Sequence, residues 1–439
     1  MSETIFAPLT LKGNCSVFVI RISGSKVRAC LSAIGLKKDL EHRKATLCKL
    51  QHDDKALDEA LVTYFQSPNS FTGEDVCEIN LHCSTYIIKK IFEILSNIDG
   101  TRYAERGEFS KRAFLNGKID LMQAESIADL INSETELQHQ QAIKQLQGKN
   151  SIFYNNLRER IVKILSSLEA YIDFPDEHLP KENIKKQIDE IINFIEKNLN
   201  DEKVGERIKD GFKIAIMGEP NVGKSTLLNY LAKREIAIVS DIAGTTRDVI
   251  EVHLDVNGIP VILYDTAGIR ETNNVIEIEG VKRAIEKARQ ADLKILLTSP
   301  DNMQLNKKIM ELIDNKTIIV KNKCDLEDDL KLEITSVTNN DIIPISLKNN
   351  INIDIFIKTL QKKLEDIISP NIDITITNER YRNELKQALF YLKLVNFNEP
   401  LEICAENIRI SAKHVGGITG KISIDELLDN IFSKFCIGK

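Results

Sequence analysis

The sequence lacks the features of secreted and membrane-bound proteins and of proteins with a zinc or redox site. Its eight cysteines are scattered and form no C-x-x-C pair, so we expect no zinc or redox site and predict a reducing, cytoplasmic location. Residues 1–11 show neither a basic start nor an apolar segment, and no stretch of about 18 uncharged apolar residues follows. We therefore predict no membrane-spanning segment and no membrane partner.

The chain also lacks an excess of positive charge. Its net charge is −6 and its pI is near 5.8. This argues against a globally basic surface for nucleic acid and restricts any RNA contact to local patches. The apolar share of 42% and the charged share of 28% are typical of globular proteins. A length of 439 residues predicts roughly two to four domains.

Periodic patterns divide the chain into regions. Residues 17–20 and 77–83 read as strands near the start, and helical spacing begins at Asp120, which is placed like a capping partner of Gln123. Helical spacing returns after residue 370, and the segment between the helical regions alternates apolar runs with helical stretches. The apolar runs, typical of strands in a parallel sheet, are 212–217, 261–264, 293–297, 318–320 and 342–345.

These patterns predict an α/β plus α protein. A doubly wound α/β domain with a mostly parallel sheet would be inserted into a helical domain, and a mixed α+β domain would precede both. The predicted division is 1–118 for the α+β domain, 119–209 for the first helical part, 210–370 for the α/β domain and 371–439 for the second helical part, which ends in Cys-Ile-Gly-Lys.

A phosphate-binding motif opens the predicted α/β domain. The sequence GEPNVGKS at 218–225 matches G-x-x-x-x-G-K-[ST], follows an apolar run and precedes a helical stretch. Glycines allow the backbone to approach phosphate, and the helix N-terminus binds its charge. Lys224 would reach the terminal phosphates, and Ser225 would ligate magnesium. This context favours a nucleotide site over an ordinary glycine turn.

Two further tetrads follow strands of the same domain. The sequence DTAG at 265–268 offers a carboxylate for the magnesium shell and a glycine that can face the γ-phosphate. The sequence NKCD at 322–325 ends in Asp325, whose carboxylate can accept both guanine N–H groups, which adenine does not offer. The second tetrad therefore predicts GTP instead of ATP.

The region between the first two motifs resembles a GTPase switch. Thr246, within 244–248, is the predicted second hydroxyl on magnesium. Ile269 stands where Ras-type GTPases place a water-orienting glutamine, and an apolar side chain cannot orient water. Another group or a cation must therefore replace this function. The acidic candidates nearby are Glu271, Glu277 and Glu279.

Over essentially its whole length the sequence resembles the MnmE (TrmE) family of tRNA-modification GTPases. The resemblance is carried by IRISG at 20–24, NSFTGED at 69–75, GEFSKRAFLNGK at 107–118 and FCIGK at 435–439. It implies an N-terminal domain that binds folate and forms a homodimer, a central helical domain, and a Ras-like G domain inserted into the helices.

The resemblance also implies a reaction and partners. The protein would act with an MnmG-type protein, which uses FAD and NADH. Together they would install an aminomethyl or carboxymethylaminomethyl group at C5 of the wobble uridine of certain tRNAs. The one-carbon unit would come from a tetrahydrofolate derivative, either 5-formyl- or methylene-tetrahydrofolate. GTP, Mg²⁺ and K⁺ are the other implied cofactors.

By the same resemblance, a potassium ion lies beside the phosphates and takes the electrostatic role of an arginine finger. Its implied ligands are Asn221 and Thr245 with the backbone of Ser240 and Ile242. The glutamate that positions the attacking water falls on Glu277. The full set of predicted GTP-binding residues is Asn221, Val222, Gly223, Lys224, Ser225, Thr226, Ser240, Thr245, Thr246, Asp265, Thr266, Ala267, Gly268, Asn322, Lys323, Asp325 and Ser346.

The implied folate pocket uses residues from both ends of the chain. Glu78 suits the N–H donors of a pterin, and lysines suit the anionic glutamyl tail. Cys436 corresponds to the C-terminal cysteine that the family needs for modification. The implied folate-binding residues are Arg21, Glu78, Lys118 and Lys439.

Some positions depart from the family pattern. The loop 11–16 is less glycine-rich than usual, and glycines do not follow His82, which puts folate affinity in doubt more than GTP binding. In the sequence SLK at 346–348, Leu347 replaces the common alanine, but a backbone N–H contact to guanine O6 would survive that change.

Two other functions fit part of the sequence. One is a folate- and RNA-binding scaffold with a slow GTP-driven conformational switch. The other is a ribosome-assembly GTPase of the Era type, which shares the G-domain motifs but not the long flanks. For tRNA, we consider two basic patches, namely Arg102, Arg106, Lys111 and Arg112, or Lys181, Lys185 and Lys186.

Overall fold

A computed structural model of the chain shows two compact units. One comprises Met1–Ala128, Gln145–Glu159 and Ala412–Lys439, and the other comprises Asp129–Lys144 and Arg160–Ser411. Of Lys181, Lys233, Glu251 and Asp265 only the backbone is described. The described residues are 3–10, 15–37, 39–174, 181–200, 203–233, 251–265, 285–300, 305–326, 342–368, 376–421, 431–432, 435–436 and 438.

In its described part, the first unit contains a six-stranded sheet. The spatial order of the strands is β3-β4-β5-β2-β1-β6, with antiparallel neighbours throughout except for the parallel pair β1 and β6. The strands are β1 Thr4–Pro8, β2 Val17–Ser23, β3 Ala45–His52, β4 Lys55–Phe65, β5 Val76–His82 and β6 Thr101–Tyr103. The strands predicted at 17–20 and 77–83 are thus confirmed as β2 and β5.

Helices cover one face of this sheet because the strands alternate inward and outward residues. In β5, Cys77, Ile79 and Leu81 are buried, and they share a core with Ile88 and Ile91 of the second helix. The first helices along the chain are α1 Val27–Ala33, α2 Thr85–Ser96, α3 Glu108–Leu115 and α4 Leu121–Ile131. The predicted capping pair before α4 is confirmed, since Asp120 and Gln123 exchange backbone-to-side-chain hydrogen bonds of 2.8 and 3.0 Å.

Further helices follow α4, as the periodicity predicts, and α6 and α7 are the long ones. Leu157, Ile161, Ile164 and Leu168 form a buried stripe, which is typical of a helix packed against others. These helices are α5 Glu136–Leu146, α6 Lys149–Asp173, α7 Lys181–Leu199 and α8 Val204–Asp210. Among the helices that the structure describes, none has the length and apolar character needed to cross a membrane.

The second unit contains a six-stranded sheet in the order β12-β11-β10-β7-β9-β8. Its strands are β7 Phe212–Met217, β8 Glu251–Val256, β9 Ile259–Asp265, β10 Leu293–Thr298, β11 Thr317–Lys321 and β12 Ile342–Pro344. All neighbours are parallel except β8 and β9. The predicted mostly parallel sheet is therefore confirmed, and β7 lies in its interior with five of its six residues buried.

Helices complete the second unit and the C-terminal region. They are α9 Lys224–Lys233, α10 Lys307–Met310, α11 Ile353–Ile367, α12 Glu379–Lys393 and α13 Leu401–Thr419, and residues 285–290 are also helical. The α/β fold inserted between helices agrees with the predicted fold class. The predicted boundaries at 118, 209 and 370 stay a prediction.

A short helix, α8, joins the sheet to the helices around it. Arg382 of α12 donates to Glu206 of α8 at 2.7 Å, and both side chains are buried. The next residue of α8, Arg207, pairs with Asp292 at 2.6 Å, and Asp292 accepts the N–H of Lys213 in β7 at 2.8 Å. Of two consecutive residues of α8, Glu206 therefore bonds to α12, and Arg207 is connected to β7 through Asp292.

Replacement of Arg382 with methionine should destabilise the protein, because it leaves the buried Glu206 carboxylate without its cation. Loss of one partner of a buried pair costs about 3–5 kcal/mol. Thermal unfolding followed by circular dichroism would measure the lower Tm. The double variant Arg382→Met/Glu206→Leu is the control and should recover much of the loss, since no buried charge remains. A single variant that melts like the wild type would contradict this role.

Candidate nucleotide and C1-donor sites

The predicted phosphate loop lies between β7 and α9. Gly218 has φ 150° and Gly223 has φ 103°. A Cβ at Gly218 would lie 2.2 Å from the carbonyl oxygen of Leu297, and one at Gly223 would lie 2.5 Å from Nδ2 of Asn322. Both positions require glycine, because the loop presses against the ends of two neighbouring strands. The loop has the shape expected of a phosphate cradle.

The lysine of the motif folds back onto this loop. Nζ of Lys224 donates to the carbonyl oxygens of Gly218 and Glu219 at 2.8 and 2.9 Å. Val222 is fully buried and anchors the loop in the sheet core, whereas Ser225 and Thr226 are exposed on the first turn of α9. The ammonium and the N-terminal turn of a helix thus share one loop, which is the arrangement that binds phosphate.

The predicted magnesium carboxylate lies at the end of the adjacent strand. Asp265 closes β9 and pairs in register with Ile216, two residues before Gly218. The backbone therefore brings Asp265 next to the phosphate loop. Several predicted residues lie outside the described residues, namely Ser240, Ile242, Thr245, Thr246, Thr266, Ala267, Gly268, Ile269, Glu271, Glu277 and Glu279.

Asn322 connects the phosphate loop to the guanine-reading segment. It follows β11, and its buried side chain donates from Nδ2 to the carbonyl oxygen of Val222 at 2.9 Å. Its Oδ1 accepts the N–H of Leu347 at 3.3 Å. The Leu347 N–H, expected at guanine O6, is therefore directed to Asn322 in this structure. The amide of Asn322 acts here as a brace between three segments.

The carboxylate of Asp325 is exposed and held by a neighbouring hydroxyl. A hydrogen bond from Ser346 lowers the pKa of Asp325 below its usual value. Ser346 is itself buried, and its Oγ accepts the N–H of Asn349 at 3.2 Å. Lys323, with φ 61°, turns the chain between Asn322 and Asp325. An ionised, oriented carboxylate is the acceptor that the two guanine N–H groups require.

The first unit brings the predicted folate residues Arg21 and Glu78 together. They are register partners on β2 and β5, and Nε and Nη2 of Arg21 donate to Oε1 of Glu78 at 3.0 and 2.7 Å. The guanidinium also lies over the rings of Phe71 and Phe109, 5.0 and 5.5 Å from their centroids. These contacts fix the plane of Arg21.

Lys118 reaches the loop that carries Phe71. Its Nζ donates to the carbonyl oxygen of Pro68 at 2.8 Å, and the side-chain amide of Asn116 donates to the carbonyl oxygen of Thr72 at 2.7 Å. The segment 66–75 therefore links Lys118 to the Arg21 and Glu78 pair. Its Ser67–Pro68 peptide bond is cis.

The C-terminal segment lies against α3 and β1. The carbonyl oxygen of Cys436 accepts the N–H of Gly107 at 3.3 Å, and the Cys436 side chain is exposed. A Cβ at Gly438 would lie 2.0 Å from the carbonyl oxygen of Pro8, so the segment runs close to the end of β1. Gly107 directly precedes α3, and α3 carries Phe109, which lies against Arg21. The C-terminal segment and the Arg21 site therefore lie near the same end of α3. Lys439 lies outside the described residues.

One predicted tRNA-binding patch is wrong in part. Arg112 is buried, and its guanidinium donates to Glu74 and Glu108 at 2.9 Å each. Arg102 also pairs with Glu108, at 2.7 Å. These carboxylates pair with both arginines. Arg112 is therefore buried away from any phosphate, whereas Arg102 is partly exposed. Lys185 and Lys186 of the other patch are exposed on α7.

Sequence reasoning missed the aromatic partners of Arg21. Phe71 and Phe109 lie in segments that resemble the family, but neither received a role. The available signal was weak, since an arginine at the middle of a strand needs a counter-charge and flat apolar partners when it is partly buried. The neighbouring strand β5 supplies the counter-charge, Glu78, and the loop 66–75 and α3 supply the rings of Phe71 and Phe109.

Two family models match the chain. The model described as GTP-binding protein TrmE N-terminus matches residues 4–118, and the MnmE helical domain matches residues 121–436. The tRNA modification GTPase MnmE of Rickettsia bellii (strain RML369-C) is 47% identical over 100% of both chains. The protein of the same name from Ehrlichia chaffeensis (strain Arkansas) is 46% identical over 99% of this chain and 100% of its own.

Solved structures give a more distant comparison. The crystal structure of a variant of Aquifex aeolicus Era bound to GDP·AlF4⁻ is 28% identical over 42% of this chain and 67% of that chain. Its TM-score of 0.29 is too low to bear on the fold.

Replacement of Asp325 with asparagine should exchange the base that the site accepts. The amide NH2 group would face the two guanine N–H donors, and GTP affinity should fall about 100-fold, as expected when a charged acceptor is lost. Xanthosine triphosphate carries a carbonyl where guanine has its amino group, so its affinity should rise. Equilibrium titration with fluorescent GTP and competition with both nucleotides would measure the change.

The exposed neighbour Leu326 provides the control for this exchange. Leu326→Ala should leave both affinities near the wild-type values. If Asp325→Asn lowered binding of both nucleotides equally, Asp325 would support the fold of the loop and would not read the base.

Proposed function

The chain belongs to the MnmE family of tRNA modification GTPases, and from this membership we propose that potassium activates its GTP hydrolysis. We further propose that it acts with an MnmG-type partner that uses FAD and NADH. The pair would install an aminomethyl or carboxymethylaminomethyl group at C5 of the wobble uridine of certain tRNAs. This tRNA substrate supports a cytoplasmic location.

One observation carries the nucleotide part of the proposal. The phosphate loop after β7, Asp265 at the end of β9 and Asn322 after β11 meet at one edge of a parallel sheet, and Asn322 is bonded to Val222 at 2.9 Å. In open α/β sheets, ligands bind outside the carboxyl ends of the strands. The base reader and the phosphate cradle are therefore held at a fixed spacing.

Each part of this edge has a proposed role. Lys224 would neutralise the terminal phosphates, and Asp325 would select guanine. Bound Mg²⁺ would stabilise the charge that develops on the phosphate oxygens. Ser225 and Thr246 would supply its hydroxyl ligands, with Asp265 near its water shell. The remaining proposed contacts are Gly223, Thr226, Thr266, Ala267, Gly268, Lys323 and Ser346.

We propose that Asn221 supplies a side-chain oxygen to the potassium ion. Asn221 lies within the phosphate loop with φ 64° and is exposed. A side chain at this point of the loop can face a cation beside the phosphates without disturbing the buried anchor Val222. Thr245 and the backbone of Ser240 and Ile242 complete the proposed ligands, and Glu277 would position the attacking water. The cation then supplies the positive charge that an arginine finger gives elsewhere.

GTP turnover should be at least about tenfold faster in potassium than in sodium at equal ionic strength. The reason is that the positive charge of an arginine finger accelerates GTP hydrolysis about 10³- to 10⁵-fold. Asn221→Ala should remove most of this difference while nucleotide affinity changes little. Phosphate release under saturating GTP would measure the rates. Asn229→Ala, an exposed asparagine on α9, is the matched control and should keep the response. Equal rates in both salts would remove potassium from the mechanism.

We propose a tetrahydrofolate derivative, 5-formyl- or methylene-tetrahydrofolate, as the ligand of the Arg21 and Glu78 site. Both bonds from Arg21 go to Oε1 of Glu78, and 27% of the Glu78 side chain is exposed. Oε2 is thus the oxygen to accept pterin N–H donors, with Arg21 holding the carboxylate in place. Lys118 and Lys439 would bind the glutamyl tail, and the exposed thiol of Cys436 would act in the modification reaction.

Exposed apolar side chains in the first unit support the proposed homodimer. Leu47 on the edge strand β3 and Leu61 on the neighbouring β4 are register partners, and the exposed fractions of their side chains are 69% and 42%. Val17 adds a third exposed apolar side chain, at 51%. Exposed apolar residues on an edge strand promote pairing with another chain. This supports the proposed assignment of 1–118 as a folate-binding and dimerisation domain.

Replacement of Glu78 with glutamine should weaken binding of 5-formyltetrahydrofolate about tenfold or more. The amide keeps the shape but loses the charge, and a hydrogen bond to a charged group contributes about 1.5–3 kcal/mol. Isothermal titration calorimetry on the full chain would measure the affinity. Glu59→Gln, on the neighbouring strand β4 and exposed, is the matched control. Unchanged affinity in Glu78→Gln would place the pterin elsewhere.

A further inference from the structure

Two cysteines meet at one end of the β2 and β5 pair. Cys15 lies just before β2 and Cys83 just after β5, and both are partly exposed thiols. Their Sγ atoms are 2.6 Å apart, closer than unbonded sulfur atoms pack and only slightly longer than a disulfide bond of about 2.05 Å. The two sulfurs are therefore close enough to form a bond after a small movement of the side chains.

The strand pairing holds these cysteines in place. β2 and β5 pair continuously from Val17 with His82 to Ser23 with Val76, and the N–H of Cys83 donates to the carbonyl oxygen of Ser16 at 3.2 Å. The backbone between the two cysteines and the ladder is thus bonded across the strands. A covalent bond between them needs no movement of the ladder, which is the usual obstacle to a disulfide.

We propose that Cys15 and Cys83 are a site of reversible disulfide formation, with a low-molecular-weight disulfide such as oxidised glutathione as the oxidant. The thiolate of one cysteine attacks the oxidant, forms a mixed disulfide and releases one small thiol. The second cysteine then attacks the protein sulfur of that mixed disulfide and releases the other small thiol. The two protein thiols are oxidised, and their protons end on the two small thiols.

Two other thiols in the first unit's core, those of Cys30 and Cys77, are buried and are poor competitors. Burial raises the pKa of Cys30 to about 11 and also raises the pKa of Cys77. Neither thiol forms much of the thiolate that exchange requires. Cys48 is partly exposed and Cys436 is exposed, so both can react with an oxidant and the test must distinguish them from the pair.

The pair shares its strands with the proposed folate site. Cys15 precedes Arg21 on the chain that forms β2, and Cys83 follows Glu78 on the chain that forms β5. A bond between Cys15 and Cys83 would restrain the end of the same ladder that sets the register of Arg21 against Glu78. Oxidation should therefore restrict fluctuation at the folate site, and this consequence rests on the proposed function.

The full chain would be equilibrated with oxidised and reduced glutathione, alkylated and digested with trypsin. We expect a peptide of residues 13–21 linked to a peptide of residues 56–89, with fragmentation that assigns the bond to Cys83 and not to Cys77. Dithiothreitol should remove the link. Stable glutathione adducts on Cys15 and Cys83 without a link, or a link between two chains, would overturn the proposal.

Variants make the assignment specific. Cys15→Ser and Cys83→Ser should each abolish the linked peptide, and Cys436→Ser should retain it. The wild-type digestion needs no substitution, so a variant that folds poorly does not decide the outcome. The affinity for 5-formyltetrahydrofolate is measured separately, in the oxidised and in the reduced protein. A linked peptide without folate binding in either state would contradict the proposed function and leave the disulfide standing.

Discussion

The hydrogen bond from the side chain of Asn322 to the carbonyl oxygen of Val222 holds the nucleotide site together. Parallel strands bring their carboxyl ends to one edge of the sheet. The strands alone do not fix the positions of the loops that follow them. The buried amide of Asn322 removes that freedom, because its two ends bond to the phosphate loop and to Leu347. Gly223 must then lack a side chain, since a Cβ there would lie 2.5 Å from the same amide. The spacing between the phosphate cradle and the base reader follows from this one contact.

Local patterns were sufficient to predict the elements that hold chemistry. The apolar runs of β7, β10 and β11 are continuous because these strands are buried on both faces, and the loops after them carry recognisable motifs. The strand β8 was not predicted, although Asn257 and Gly258 form the positive-φ turn of a hairpin with β9. That signal is only two residues long. The brace made by Asn322 could not be predicted either, because it joins residues 100 positions apart.

The pattern of charged residues along the chain does not predict which arginines are exposed and unpaired. Arg112 stands near other basic residues in the sequence, yet the fold surrounds it with the carboxylates of Glu74 and Glu108. Burial alone would raise the pKa of Glu108, but hydrogen bonds from Arg102 and Arg112 outweigh it and lower that pKa. Arg21 is a second example. An arginine on a strand is usually a surface charge, but this one is held by Glu78 and two aromatic rings. Which arginines are available to ligands depends on partners distant in sequence.

Any coupling of GTP hydrolysis to the helices would require a rigid connection from the central strand. α8 provides one, because Arg207 bonds to Asp292, which accepts the N–H of Lys213 at the start of β7. The adjacent Glu206 bonds to Arg382 of α12 in a buried pair. A shift of β7 relative to α12 would either break one of these charge pairs or move α8 with β7. Breaking a buried charge pair costs much free energy. Movement that begins at the phosphate loop would therefore be carried into α12 through α8 and would not be absorbed in a flexible linker.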